Sequence, residues 1–505
     1  MQNKSKKIAK NSIALYVRMA ITMAISLYTS RVVLSALGIS DYGIYNVVGG
    51  IVMMFSFLNS AMALSVSRFL GIAMGKEENE KLSYVFKASL NIHIFLALLI
   101  TLISEVFGLW YINNFINVPE ERLPATFVVF HLSVLVLMIN VVRVPYTASI
   151  TINEDINVYA ILNVLESCLK LIVVYILYLS NNDRLILYGI LMLIITIMIS
   201  FCYFVYCKKK YFWCKFQLFW DKNLYFKLLR FAGLNTFGNM IQMIVTQGQN
   251  LLLNFMFGPV VNAARGIAFQ VDTALKGFVT NIFTAVNPQL FKSYGEKNYE
   301  YMRILLYNSA RLSFAVLLMI SIPIILDINY ILSLWLEEVP EYTAVFIILL
   351  LINSLVFANI QPLMLAIHAT ARIGELHIFT GLVNILNIVL SYILLKRGFS
   401  PEWVFIVQIF VNIGMITVTL YQMRRTLGFS IGQYIYQVYC RELIVLLLSI
   451  PLPLLFWKIT DVNFISLVFL TMFSLISVFS ITIWIGIEKG YRDQIFNALM
   501  SKIHG

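Results

Sequence analysis

Eleven ionisable side chains interrupt stretches that are otherwise apolar. Arg18, Arg31, Arg68, Lys170, Arg265, Lys276 and Arg311 stand against Glu105, Glu166, Asp272 and Asp327. Placing each in a bilayer costs at least about 2.5–3.5 kcal/mol, so each needs a reason to be there. Arg31, Arg68, Glu105 and Asp327 lie near the ends of their stretches, where a long side chain can reach the interface. Arg31 is still counted among the candidate cations. Arg18 sits deeper, and Thr22, Ser26 and Thr29 follow it at helical steps, which puts all four on one face. Arg265, Asp272, Lys276 and Thr280 form a second such face, on which Asp272 and Lys276 can pair at i,i+4. A third face is uncharged and amide-rich: Asn235, Asn239, Gln242, Thr246 and Gln249.

These residue types suit one chemistry well. A guanidinium fork matches phosphate or pyrophosphate oxygens. Amides both donate to and accept from sugar hydroxyls. A hydrated cationic chamber would remove most of the cost of carrying an anion through hydrocarbon, which runs to tens of kcal/mol by Born estimates. The competing reading is interhelical hydrogen bonding, which also places polar residues on buried faces. Histidines 93, 131, 368, 377 and 504 form no ligand-spaced cluster with the cysteines, so no metal site and no cofactor is indicated. No DxD pair, Gly-rich phosphate loop or nucleophile motif is present, and an enzyme is disfavoured.

The elements that must position these groups are membrane helices. The 505 residues are 60% hydrophobic and only 12% charged, with mean hydropathy +0.83. Soluble chains carry about 25% charged residues. Apolar runs fall at 11–34, 43–70, 84–110, 123–146, 156–179, 184–206, 231–256, 260–288, 303–332, 342–367, 374–396, 402–423, 440–458 and 463–488. Each can cross about 30 Å of hydrocarbon as a helix. This predicts an all-α integral membrane protein of about fourteen spans. Starting inside, the loops on one side hold most of the Lys and Arg. The opposite loops hold only Arg122, Arg184, Lys396, Arg397 and Lys458. That asymmetry sets both termini in the cytoplasm. It also accounts for most of the net charge of +12, so nucleic acid is not implied as a partner. Lys4, Lys6, Lys7 and Lys10 precede the first run as in a signal peptide, but Arg18 breaks the apolar core and the run continues to about Leu37, so it reads as a first span. All five cysteines fall in spans or on the cytoplasmic side, and no disulfide is expected.

The segment 207–230, CKKKYFWCKFQLFWDKNLYFKLLR, divides the chain. Six spans precede it, and it carries six lysines and Arg230 against the single acid Asp221. Its interleaved aromatics Tyr211, Phe212, Trp213, Phe216, Phe219, Trp220, Tyr225 and Phe226 can lie at headgroup level, which reads as a cytoplasmic strap on membrane lipid. On either side the sequence repeats. Gly38, Gly75 and Ser89 recur 220 residues on as Gly258, Gly295 and Ser309, Val118-Pro119-Glu120 recurs 221 on as Val339-Pro340-Glu341, and Pro145 recurs 217 on as Pro362. The domains are therefore a six-helix bundle 1–206, the linker 207–230, a second six-helix bundle 231–423, and 424–505 with two further spans. Six spans per half give a parallel repeat, an architecture of alternating-access transporters.

The stretch RVVLSALGISDYGIYNVVGGIVMMF, Arg31–Phe55, resembles the start of Wzx-type polysaccharide flippases of the MOP exporter superfamily, alongside MurJ-type lipid II flippases and MATE exporters. The likeness extends to two six-helix halves, a basic loop between them and two added helices. It implies a V-shaped pair of bundles in the bacterial inner membrane, working by alternating access. The implied cargo is an oligosaccharide on polyprenyl pyrophosphate, an O-antigen, capsule or exopolysaccharide unit passed to the periplasmic leaflet, with polymerase machinery as a further partner. It implies essential arginines on the first and eighth helices, which Arg18 and Arg265 match by helix, with Lys276 a weaker match. The alternatives are a MATE-like small-molecule exporter, which calls for unpaired intramembrane acids, and a membrane glycosyltransferase or polymerase, which calls for a large extramembrane loop.

Overall fold

A computed structural model describes residues 2–75, 79–153, 155–180, 182–370 and 373–486. Side-chain surroundings are described from Ile21 onward, except at 57–61, 64, 75, 79, 156, 231–232, 234–239, 281, 284–285, 288, 373–374 and 486. The described residues are predominantly helical, with no strand among them. Eleven helices are long and apolar enough to cross a membrane among these residues. Three expected crossings are not among the eleven. One, 43–70, is divided by a turn at 54–56; the other two correspond to the helices α7 and α8 below, which carry the polar faces already noted.

Residues 1–266 form one compact unit. Its helices are α1 (Gln2–Met53), α2 (Phe57–Gly75), α3 (Asn79–Asn114), α4 (Leu123–Ile152), α5 (Ile156–Leu179), α6 (Arg184–Lys210), α7 (Lys222–Phe257) and the start of α8 (Pro259–Gly295). The unit thus extends past the basic linker, because α7 packs on α1, α2 and α3. Its core is aliphatic: Ile44, Val47, Val48 and Ile51 of α1 meet Ile100 of α3 and Val129 and Phe130 of α4. Gly108 lets α3 approach Phe130 at a distance no Cβ would permit. At one end Arg122 clamps two acids. Its guanidinium donates to both carboxylate oxygens of Asp41 (2.8 and 2.6 Å) and of Asp183 (2.7 and 3.1 Å). These hydrogen bonds hold the Asp183 carboxyl below the ordinary carboxylate range.

Residues 267–505 form the second unit. After the rest of α8 come α9 (Tyr299–Leu326), α10 (Ile328–Trp335), α11 (Thr343–Phe357), α12 (Ile360–Ala369), α13 (Ile373–Lys396) and α14 (Trp403–Leu427). Then follow α15 (Ile431–Tyr434), a π-helical turn at Ile435–Cys440, α16 (Arg441–Ser449), α17 (Pro451–Ile459) and α18 (Phe464–Ile481). Pro451 occupies the first turn of α17, where its missing N–H costs nothing. Asn463 and Ser466 cap the start of α18 reciprocally. These added helices are fastened to α9. Trp457 Nε1 donates to Asp327 Oδ1 at 2.7 Å, and Ser474 Oγ donates to the Met319 carbonyl at 2.9 Å. Asp327 is therefore a buried anchor at the end of α9.

The repeat is written in the backbone. Gly38 divides α1 with φ 78° and ψ 166°, and Gly258 separates α7 from α8 with φ 79° and ψ −172°. This region of conformation is open to glycine almost alone. α2 and α8 also end on the paired glycines Gly75 and Gly295. Pro145 lies within α4 and Pro362 within α12, at equivalent positions of the two copies. Gly38→Ala and Gly258→Ala are each expected to destabilise the protein by about 1–3 kcal/mol. Thermal unfolding in detergent checks this: similar losses at the two sites support equivalent corners, and no loss at either contradicts it.

Candidate functional site

In the first unit the polar groups of α1, α7 and α8 converge. Arg265, on the first turns of α8, is only 5% exposed, and its Nη2 donates to the Thr246 carbonyl of α7 at 2.7 Å. One turn earlier, Asn262 Nδ2 donates to both the carbonyl and Oδ1 of Asn250, each at 2.8 Å. Asn250 Nδ2 then donates to the Asn46 carbonyl at 3.1 Å, and Asn46 Nδ2 to the Tyr42 carbonyl at 2.8 Å. A second exchange closes the end of the same helices: Asn117 N donates to Asn254 Oδ1 at 3.0 Å, and Asn254 Nδ2 to the Asn117 carbonyl at 3.3 Å. Glycines permit this approach. A Cβ at Gly43 would strike the Pro259 backbone, one at Gly50 the Asn250 amide, and one at Gly266 the Asn46 amide.

The expected site residues distribute as follows. Arg18, Asn235 and Asn239 lie outside the described side chains. Of the remaining amide face, Gln249 is buried, Thr246 half-buried and Gln242 exposed. On α1, Thr22 and Arg31 are half-buried and Ser26 is exposed. The asparagines 46, 117, 250, 254 and 262 were not singled out from the sequence. Asn250 and Asn254 do follow one another at i,i+4, close to small residues, which is the available signal.

In the second unit Asp272 is buried between two partners. Lys276 Nζ donates to Oδ2 at 2.7 Å, the i,i+4 pair expected from spacing, and Ser354 Oγ of α11 donates to Oδ1. Lys276 also lies 5.4 Å from the Phe357 ring centroid and remains partly exposed. Next to Ser354, Asn412 Nδ2 donates to Asn353 Oδ1 at 2.6 Å. A further buried acid, Glu442 of α16, accepts from Asn359 Nδ2 at 2.8 Å. It was hidden from sequence reading because it falls at the edge of a span. Two acids of the first unit have partners: Glu166 pairs with Lys170 at 2.7 Å and lies 3.6 Å from Arg143, and Glu105 lies 2.9 Å from His131 Nδ1.

No protein family and no curated protein matches the chain. Solved structures do. One described as the lipid II flippase MurJ in an inward closed conformation superposes with TM-score 0.72, at 14% identity, over 96% of this chain and 100% of its own. An inward-facing multidrug-resistance MATE transporter gives 0.67 at 15% identity, over 83% and 99%. A transporter from Pyrococcus furiosus, reported with a binding pocket of reversed polarity, gives 0.58 at 16% identity, over 82% and 95%. The fold is that of the MOP superfamily. Within this MOP fold, the paired corner glycines Gly38 and Gly258 and the asparagine ladder lie on the same three helices, α1, α7 and α8.

The ladder makes a quantitative prediction. Asn250→Ala should cost about 1–3 kcal/mol, since it leaves the polar groups it contacts unpaired. Gly50→Ala should also destabilise, by crowding the Asn250 amide. Combined, the two should cost less than their sum, because removing the amide makes room for the added methyl. Strict additivity in thermal unfolding would contradict the contact.

Proposed function

We propose that the chain is a flippase that carries a polyprenyl-pyrophosphate-linked oligosaccharide from the cytoplasmic to the periplasmic leaflet of a bacterial inner membrane. The observation that carries this reading is Arg265, a guanidinium buried on a membrane helix and resting on a backbone carbonyl. A carbonyl is a neutral acceptor. A pyrophosphate oxygen is a charged one, and the charge-assisted bond is roughly twice as strong. A pyrophosphate is thus a better acceptor for this guanidinium than the Thr246 carbonyl. In this reading Arg18 and Arg31 supply further positive charge on α1, and Lys276 is the candidate cation of the second unit.

The extent of structural likeness supports the same choice. The flippase structure covers 96% of this chain, whereas the multidrug exporter covers 83%. The balance of charge supports it as well. Asp272 is committed to Lys276 and Ser354, and Glu166 to Lys170 and Arg143, so neither of these two acids is free for a cationic drug. A membrane potential negative inside favours outward movement of an anion by about 2.3 kcal/mol per charge per 100 mV. The amides of Gln242 and Gln249 and the hydroxyl of Thr246 are proposed to meet the sugar hydroxyls.

Arg18→Ala and Arg265→Ala are each expected to abolish export of the surface polysaccharide while the protein stays folded in the membrane. Arg265→Lys keeps the charge but loses the fork, and should lower export about tenfold to a hundredfold, the value of one hydrogen bond to a charged group. Surface polysaccharide and membrane protein level are measured together. Full export by both alanine variants would contradict the proposal.

A further inference from the structure

The linker between α6 and α7 is not a free loop. Alternate residues are pinned to the first unit. Tyr211 is buried, donates to Asp155 Oδ2 and stacks on Trp213 at 5.1 Å. Cys214 is buried beside Ser149, with Sγ and Oγ 3.7 Å apart. Phe219 stacks on Tyr84 at 5.0 Å, and its carbonyl accepts from Asn91 and Tyr225. The residues between these anchors turn outward. Phe212, Phe216 and Phe226 are exposed, and Leu218 and Trp220 are 83% and 79% exposed. The expectation that all eight aromatics share one level is thus corrected: about half are anchors and half are presented.

The charges sort in the same way. Lys210 is spent on Asp155 at 2.7 Å, and Lys87, reaching over from α3, holds Gln217 at 2.6 Å. Asp221 caps α7, accepting from the amides of Asn223 and Leu224 at 2.9 and 3.1 Å. Lys209, Lys215, Lys222, Lys227 and Arg230 are exposed and enter no ion pair among the described residues. The one acid in the segment is committed to a helix terminus, so nothing local offsets these five cations.

We infer that this strap binds the headgroups of anionic phospholipids, with Phe212, Phe216, Leu218 and Trp220 entering the interface between the cations. An apolar surface of this kind is unfavourable in water, and aromatic rings interleaved with lysine match the acyl–headgroup boundary. The cations match anionic lipid through attraction that fades within a Debye length. The anchoring matters for the energetics. A pinned strap pays little ordering entropy when lipid binds, unlike a disordered polybasic tail.

The test uses the full chain in lipid nanodiscs. Trp220 emission is taken as the difference between wild type and Trp220→Phe. A fixed minor fraction of brominated phosphatidylglycerol, or of brominated phosphatidylcholine, serves as the quencher. Stronger quenching by the anionic lipid is expected. The preference should fall about fivefold for each cation removed and vanish when Lys209, Lys215, Lys222, Lys227 and Arg230 are all changed to Gln. It should also weaken in the unaltered protein as salt is raised, which needs no variant to fold. Equal quenching by both lipids would overturn the inference. So would no quenching by either, the result expected if the strap faces water or an acidic protein.

Discussion

A polar group that leaves water inside a bilayer must find its partner within the protein. That constraint explains most of what is unusual in this chain. The amides of Asn46, Asn250 and Asn262 bond to one another and to backbone across α1, α7 and α8. Asp272 takes two donors, Lys276 and Ser354. Arg265 turns to the carbonyl of Thr246. The glycines follow from the same demand. Amides bond across helices only if the backbones come close, and Gly43, Gly50 and Gly266 are where a side chain would prevent it.

Satisfaction of this kind has two grades, and the difference bears on function. The asparagine ladder pairs amide with amide or carbonyl and ties helix to helix. Arg265 instead carries a full charge, and in the proposed reading that charge meets the pyrophosphate of the cargo. The second unit is arranged differently, with its acid and base already joined on one helix at 2.7 Å.

Legibility from sequence tracks how local each interaction is. Gly38 and Gly258 could be recognised as repeats, and their shared positive φ shows why glycine occupies both places. Asp272 and Lys276 are four residues apart, so helix geometry alone pairs them. Asn250 and Asn46 are about two hundred residues apart, and nothing in the spacing of either points to the other. Glu442 meets Asn359 across 83 residues. The linker misled for another reason. Its composition announced a membrane surface, but which aromatics face inward depends on Tyr84, Ser149 and Asp155, all far away in sequence. Asp327 is likewise tied to a residue far away in sequence, Trp457 on an added helix.

The most direct measurement is flipping in reconstituted vesicles. Purified protein is given a labelled polyprenyl-pyrophosphate oligosaccharide in one leaflet, and its appearance in the other is followed with and without an imposed potential. The account predicts movement that depends on the protein, leaves the lipid chemically unchanged, and speeds up when the potential is negative on the side the cargo leaves. Failure of the lipid to move, while small organic cations accumulate in the same vesicles, would contradict it. So would a product with a longer glycan.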